Sequence, residues 1–173
     1  FLKDHPVEQY CRDAKIFSIY EGTNHIQAMD LVGRKMGQAG GLHFQQFMSD
    51  ITEFVTAHSN HPVFGTQVQA LGTAQAGIMQ VAMGMLTWSQ ADKLHLVMLG
   101  ANRFLKMMSQ LAIGWLLLDA GVRADKSLKG LSKTDPDYAF YQGKQYSALW
   151  YGRNVIPQVE NMAKMAALED SSP

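Results

Sequence analysis

A single cysteine, Cys11, stands among 173 residues, and that excludes an intrachain disulfide framework and fits a reducing compartment. The plain reading of Cys11 is a small, partly buried thiol on a helix. Net charge is missing too, since fifteen Lys and Arg balance fifteen Asp and Glu. Nucleic-acid binding draws on many phosphate contacts, and anionic membrane surfaces on clustered cations, so neither partner is expected. Long apolar runs are short of a membrane span. The longest, Leu111 to Leu118, is bracketed by Arg103, Lys106 and Asp119. No secretory signal is expected at its start, where Lys3, Asp4 and His5 come before any apolar stretch. Phe1 stands where a complete gene product would carry Met, so a piece of a longer polypeptide is the expectation. Strand-like alternation and internal repeats are absent. Metal spacing such as H-E-x-x-H is absent as well. His5, His43, His58, His61 and His95 are scattered, and His58 and His61 flank Asn60 and Pro62 at a helix end, where capping or solvation is expected.

What remains is helix. His5-Pro6-Val7-Glu8 opens one that runs to about Ile16, with Pro6 at the first helical position. Residues 17–22 mix aromatic, β-branched and glycine residues and read as an irregular turn. Thr23 and Asn24 are N-cap residues, and a partly buried helix follows to Met36, with Ile26, Met29, Leu31, Val32 and Met36 as its apolar positions. Gly37-Gln38-Ala39-Gly40-Gly41 ends it and serves as a linker.

Beyond Gly41, Phe44, Phe47, Met48, Ile51, Phe54 and Val55 recur at three- and four-residue spacing. A long helix covers residues 63–91, where Gly72, Gly77 and Gly84 suggest close helix–helix approach. A third helix, from Lys93 to about Ala120, is apolar nearly all round and is expected to be the most buried. Residues 124–136 read as a polar loop. The last helix spans residues 136–168, with a kink near Asn154 set by Pro157, and residues 169–173 form a frayed tail. Trp88, Trp115 and Trp150, one on each of the last three helices, are expected in the core. The pattern gives an all-α fold, an up-and-down four-helix-bundle-like region over residues 42–168. Eleven methionines, many between Met79 and Met108, fit adaptable packing between helices.

Chemistry concentrates at Tyr20-Glu21-Gly22-Thr23-Asn24. A carboxylate beside an aromatic ring has its pKa raised by burial, as suits a general base, and Gly22 lets a ligand approach the backbone closely. The free N–H groups at the following helix start favour anionic or electron-rich ligand groups. The same residues also fit a surface turn with a solvated glutamate and an ordinary N-cap.

The stretch Tyr10-Cys11-Arg12-Asp13-Ala14-Lys15-Ile16, followed by Ile19-Tyr20-Glu21-Gly22-Thr23-Asn24-His25-Ile26-Gln27, resembles the C-terminal signature of the acyl-CoA dehydrogenases, with Cys11 between Tyr and Arg as a departure. Asp30-Leu31-Val32-Gly33-Arg34-Lys35 continues the match. The resemblance implies that residues 1–36 are the last helices of a catalytic domain, residues 37–41 a linker and residues 42–168 a helical extension. Phe140-Tyr141-Gln142-Gly143-Lys144 and Asn154-Val155-Ile156-Pro157 are similar to the end of the extension of 3-methylmercaptopropionyl-CoA dehydrogenase-like members.

By that resemblance Glu21 is the catalytic base that removes the α-proton of an acyl-CoA thioester, while the β-hydrogen leaves as hydride to flavin N5. Gly22 contacts the thioester, and Thr23, Asn24, His25 and Gln27 contact FAD; His25 equally fits an exposed residue of the first helical turn. The implied partners are the acyl-CoA substrate, an electron-transferring flavoprotein as acceptor and further copies of the chain in a homo-oligomer. The implied setting is a bacterial cytoplasm, or the mitochondrial matrix in a eukaryote. A piece this short is expected to be inactive and to lose FAD. The alternative is a non-catalytic helical packing or oligomerisation module.

Overall fold

All regular structure among the described residues, 4–20 and 22–170 of a computed structural model, is helical, and no strand occurs among them. The order is α1 (Val7–Lys15), a 3₁₀ turn (Ile16–Ser18), α2 (Asn24–Gly33), a glycine-rich turn (Lys35–Gly41), α3 (Leu42–His58), α4 (Gly65–Gln90), α5 (Leu94–Leu128), α6 (Tyr138–Asn154) and α7 (Ile156–Ala166). The expected bundle consists of α3, α4, α5 and the broken pair α6–α7. The break falls where Pro157 requires it: Pro157 is in the first turn of α7, and Val155 N–H closes the preceding helix on Tyr151 O at 2.9 Å.

Helix α5 is the axis of the fold. Its 35 residues span about 52 Å at 1.5 Å per residue, and it packs against α2, α4, α6 and α7. Phe104, Met107, Leu111 and Leu118 are fully buried along one stripe, each contributing roughly 1.5–3 kcal/mol by leaving water. By length and composition α5 is also apolar enough to cross a membrane. Apolar nearly all round as expected, it is not covered all round: Leu99, Ile113 and Leu116 on the far side are 46–60% exposed. A single layer of neighbours covers only one stripe of a helix.

Close crossings set the bundle's geometry. The sequence flagged Gly72 and Gly77, and a Cβ there would meet Val55 of α3 and Ala163 of α7 at 3.1 Å. Gly84, flagged with them, meets only Trp88 of its own helix at ordinary contact distance. A closer crossing is one the sequence reading passed over: a Cβ on Gly121 of α5 would stand 2.8 Å from Ala148 Cβ of α6 and 2.9 Å from the ring of Phe64.

Three further expectations change. Helix α5 runs to Leu128 rather than about Ala120, consuming the first residues of the expected loop, because Ala124 and Asp125 are buried and keep the helix docked. Trp150 is 61% exposed, since it lies about 200° around α6 from the buried Ala148. Cys11 is exposed, as α1 buries none of its residues. Trp88 is buried, and Trp115 is half-buried with its ring edge-on to Phe47 at 6.0 Å.

The segment after α7 is held rather than frayed at its start. Glu169 accepts from Trp88 Nε1 at 3.0 Å and from Lys93 Nζ at 2.7 Å, tying it to the α4–α5 turn. The Lys93 and Trp88 hydrogen bonds hold its carboxyl below the ordinary value. A depressed folded pKa means that the contact stabilises the fold above the ordinary carboxylate range and is lost as pH falls through the folded pKa. The Trp88 indole N–H resonance is therefore expected to move at acid pH with the Glu169 titration, and Glu169→Gln should abolish that movement. An indole signal equally pH-dependent in the variant would contradict the latch.

Candidate functional site

Helix α2 begins as its sequence directs. Thr23 is extended, with φ −81° and ψ 165°, and its Oγ1 accepts from Ile26 N–H at 3.4 Å. Asn24 is the first helical residue rather than the cap. Before it, Gly22 has φ +121°, a left-handed value suited to glycine, and a Cβ there would crowd Ile26 Cγ2 at 3.2 Å. The corner at residue 22 thus depends on glycine on both conformational and steric grounds. Glu21 itself lies outside the described residues.

Ala28 is fully buried, and Leu31 and Val32 pack on the core, so α2 lies along α5. Ile26, expected on the apolar face, is instead 55% exposed. At the far end of α2, Arg34 closes a two-pronged ion pair on Asp30, with Nε at 2.6 Å and a terminal nitrogen at 2.8 Å. That hydrogen bonding lowers the Asp30 pKa and raises that of Arg34.

The docking of α2 opens a broad cleft of about 660 Å³ between its first turn and the middle of α5. Thr23, Asn24 and His25 line it on one side, with Ser18 beside them. On the other side stand Asn102, Leu105, Lys106, Ser109 and Gln110 of α5. Three of the expected cofactor residues are therefore brought together in one place. Gln27, half-buried and interacting, lies outside the cleft lining. The α5 wall was missed by sequence reasoning, which read this helix as packing alone. The available signal was the interruption of its apolar pattern by Asn102, Lys106, Ser109 and Gln110.

A second polar group is structural. Asp125, 8% exposed, accepts from Gln145 Nε2 at 2.9 Å and pairs with Lys129 Nζ at 3.1 Å. His61 Nε2 stands 3.7 Å from it. Backbone N–H groups of Val63 and Phe64 donate to His61 Nδ1 at 3.2 and 3.3 Å, which leaves the ring proton of the neutral imidazole on Nε2. His61 is therefore a cap for the approach to α4, as the sequence suggested, and Asp125 ties that cap to α5 and α6. Among the described residues, no three His, Cys, Asp or Glu side chains are grouped as a metal site.

Residues 47–172 match the family model described as acetyl-CoA dehydrogenase C-terminal like. The chain belongs to that family. The matched stretch begins in the second turn of α3 and includes the α5 wall of the cleft but not its α2 side. Whole-chain relatives do reach it. The broad-specificity linear acyl-CoA dehydrogenase FadE5 of Mycobacterium tuberculosis is 36% identical over 162 residues, 91% of this chain and 26% of its own length. A butyryl-CoA dehydrogenase of Syntrophomonas wolfei is 31% identical over 172 residues, 99% of this chain and 28% of its own. The 3-methylmercaptopropionyl-CoA dehydrogenase of Ruegeria pomeroyi is 31% identical over 173 residues, again 99% and 28%. The chain thus spans about a quarter of the length of the curated relatives it matches.

Proposed function

We propose that this chain is the C-terminal quarter of an FAD-dependent acyl-CoA dehydrogenase, with Glu21 as the base that removes the substrate α-proton. The observation that carries the reading is the α2 entry: Gly22 is left-handed, Thr23 caps the helix, and Thr23, Asn24 and His25 line one cleft. The apolar side chains around it support a motif that closes against the rest of a longer polypeptide. Val7, Tyr10, Phe17, Ile19 and Tyr20 are 65–75% exposed, a cost in water that burial would remove.

The residues fit the cofactor. FAD carries a diphosphate and many hydroxyls, and the cleft presents a lysine, amide and hydroxyl groups and a buried acceptor without a partner. Thr23, Asn24 and His25 would hold it, with Gln27 one turn further along α2. When bound, FAD supplies the hydride acceptor at N5. Gly22 lies against the acyl thioester. Glu21 takes the α-proton onto its carboxylate as the β C–H electron pair leaves with its hydrogen.

The relatives' names carry different acyl specificities: broad linear acyl, butyryl and 3-methylmercaptopropionyl. An electron-transferring flavoprotein as acceptor, a homo-oligomeric assembly and a cytoplasmic or matrix setting complete the proposal. In the test, the full-length polypeptide is expected to purify with bound flavin and to oxidise at least one member of a panel of acyl-CoA thioesters. The 173-residue chain alone is expected to purify without flavin and to do neither. Tight flavin binding by the isolated chain would overturn its expected loss of flavin, turnover by it would overturn its inactivity, and a flavin-free full-length protein would overturn the reading.

A further inference from the structure

We infer that α5, an element of the helical extension, supplies a second wall of the flavin site, with Lys106 meeting a cofactor phosphate and Gln110 a cofactor hydroxyl or N–H. The inference rests on the reading above. Positions 102, 106, 109 and 110 share one face of a helix, and all four face the cleft opposite Thr23, Asn24 and His25. Between Leu96 and Leu118 the only other charged or conventionally polar side chain is Arg103. An otherwise apolar helix therefore concentrates its polar groups at this cleft, and bundle packing gives no reason for them.

Two of these groups lack a partner. Lys106 is exposed and forms no ion pair among the described residues. Gln110 Oε1 is buried with no hydrogen-bond partner. Leaving a buried acceptor unmet disfavours the empty state, and a donor arriving with the ligand removes that penalty. The pairing is complementary to FAD, which brings both an anion and N–H and O–H donors. The extension then acts as more than a packing module, because it holds the cofactor from the side opposite the motif.

The test uses full-length apoprotein titrated with FAD, followed by flavin fluorescence, beside a parallel titration with coenzyme A. Lys106→Ala is expected to weaken FAD binding about tenfold or more, and to flatten its salt dependence, without lowering the melting temperature of the apoprotein. Gln110→Leu should weaken FAD binding several-fold while leaving the apoprotein melting temperature equal or higher, because the variant no longer buries an unmet acceptor. Opposite signs on cofactor affinity and apoprotein stability are what a merely structural glutamine would not give. Wild-type FAD affinity in both variants overturns the wall while leaving the dehydrogenase reading intact. So does a loss confined to coenzyme A, which would assign the cleft to the substrate's diphosphate. A wild-type protein that binds no FAD overturns both.

Discussion

Glu21→Gln in the full-length polypeptide is expected to lower acyl-CoA oxidation by about 10²- to 10⁴-fold, the range that a positioned general base contributes. Glutamine keeps the shape of the side chain but offers no basic oxygen for the α-proton. Neither Gly22 nor Thr23 is altered, so the left-handed corner and the α2 cap persist. Flavin content and melting temperature should therefore match wild type. A second readout isolates the step: exchange of the substrate α-hydrogen with solvent should disappear with the carboxylate. Turnover within twofold of wild type would remove Glu21 from the mechanism. Loss of flavin together with activity would make residue 21 a structural element of the cofactor site instead.

Gly121→Val is expected to cause a large loss of stability. Its Cβ would enter the 2.8–2.9 Å gaps to Ala148 and Phe64, and Phe64 and Ala148 are both fully buried. Neither neighbour is the tip of a flexible side chain, so α5 and α6 must separate. Overpacking of this kind costs about 1–3 kcal/mol or more, and each kcal/mol lowers the melting temperature by roughly 2–4 °C in a chain of this size. Gly143→Ala on α6 is the control. A Cβ there meets nothing within 4 Å, and the change should stabilise by up to about 1 kcal/mol through helix propensity. Denaturant unfolding of the two variants distinguishes them. Equal midpoints would contradict the close α5–α6 crossing.

Local signals in the sequence located the helices well. Pro157 broke the fourth helix where its missing N–H requires, and Thr23 capped α2 as its hydroxyl allows. The same local reasoning stopped α5 too early because residues 119–128 look polar. Asp125 is nevertheless buried, its charge met by Lys129, Gln145 and His61 from three parts of the fold. Lys129 is a near neighbour on the chain, but long-range partners such as Gln145 and His61 leave no periodic trace. Trp150 failed for a related reason, since a tryptophan's position on a helix says nothing of which face has a neighbour. Within the site, Thr23, Asn24 and His25 were legible because the motif is contiguous. Lys106 and Gln110 were not, because what makes them part of the cleft is the docking of α2 on α5, some eighty residues away in the chain.

The central claim is that this helical region completes a flavin enzyme that dehydrogenates acyl-CoA thioesters. Anaerobic mixing of the full-length polypeptide with acyl-CoA thioesters, followed by flavin absorbance, tests it most directly. The account predicts that at least one thioester bleaches the flavin, at a rate that collapses in Glu21→Gln. Flavin left oxidised by every thioester, or bleached equally fast in the variant, would contradict it.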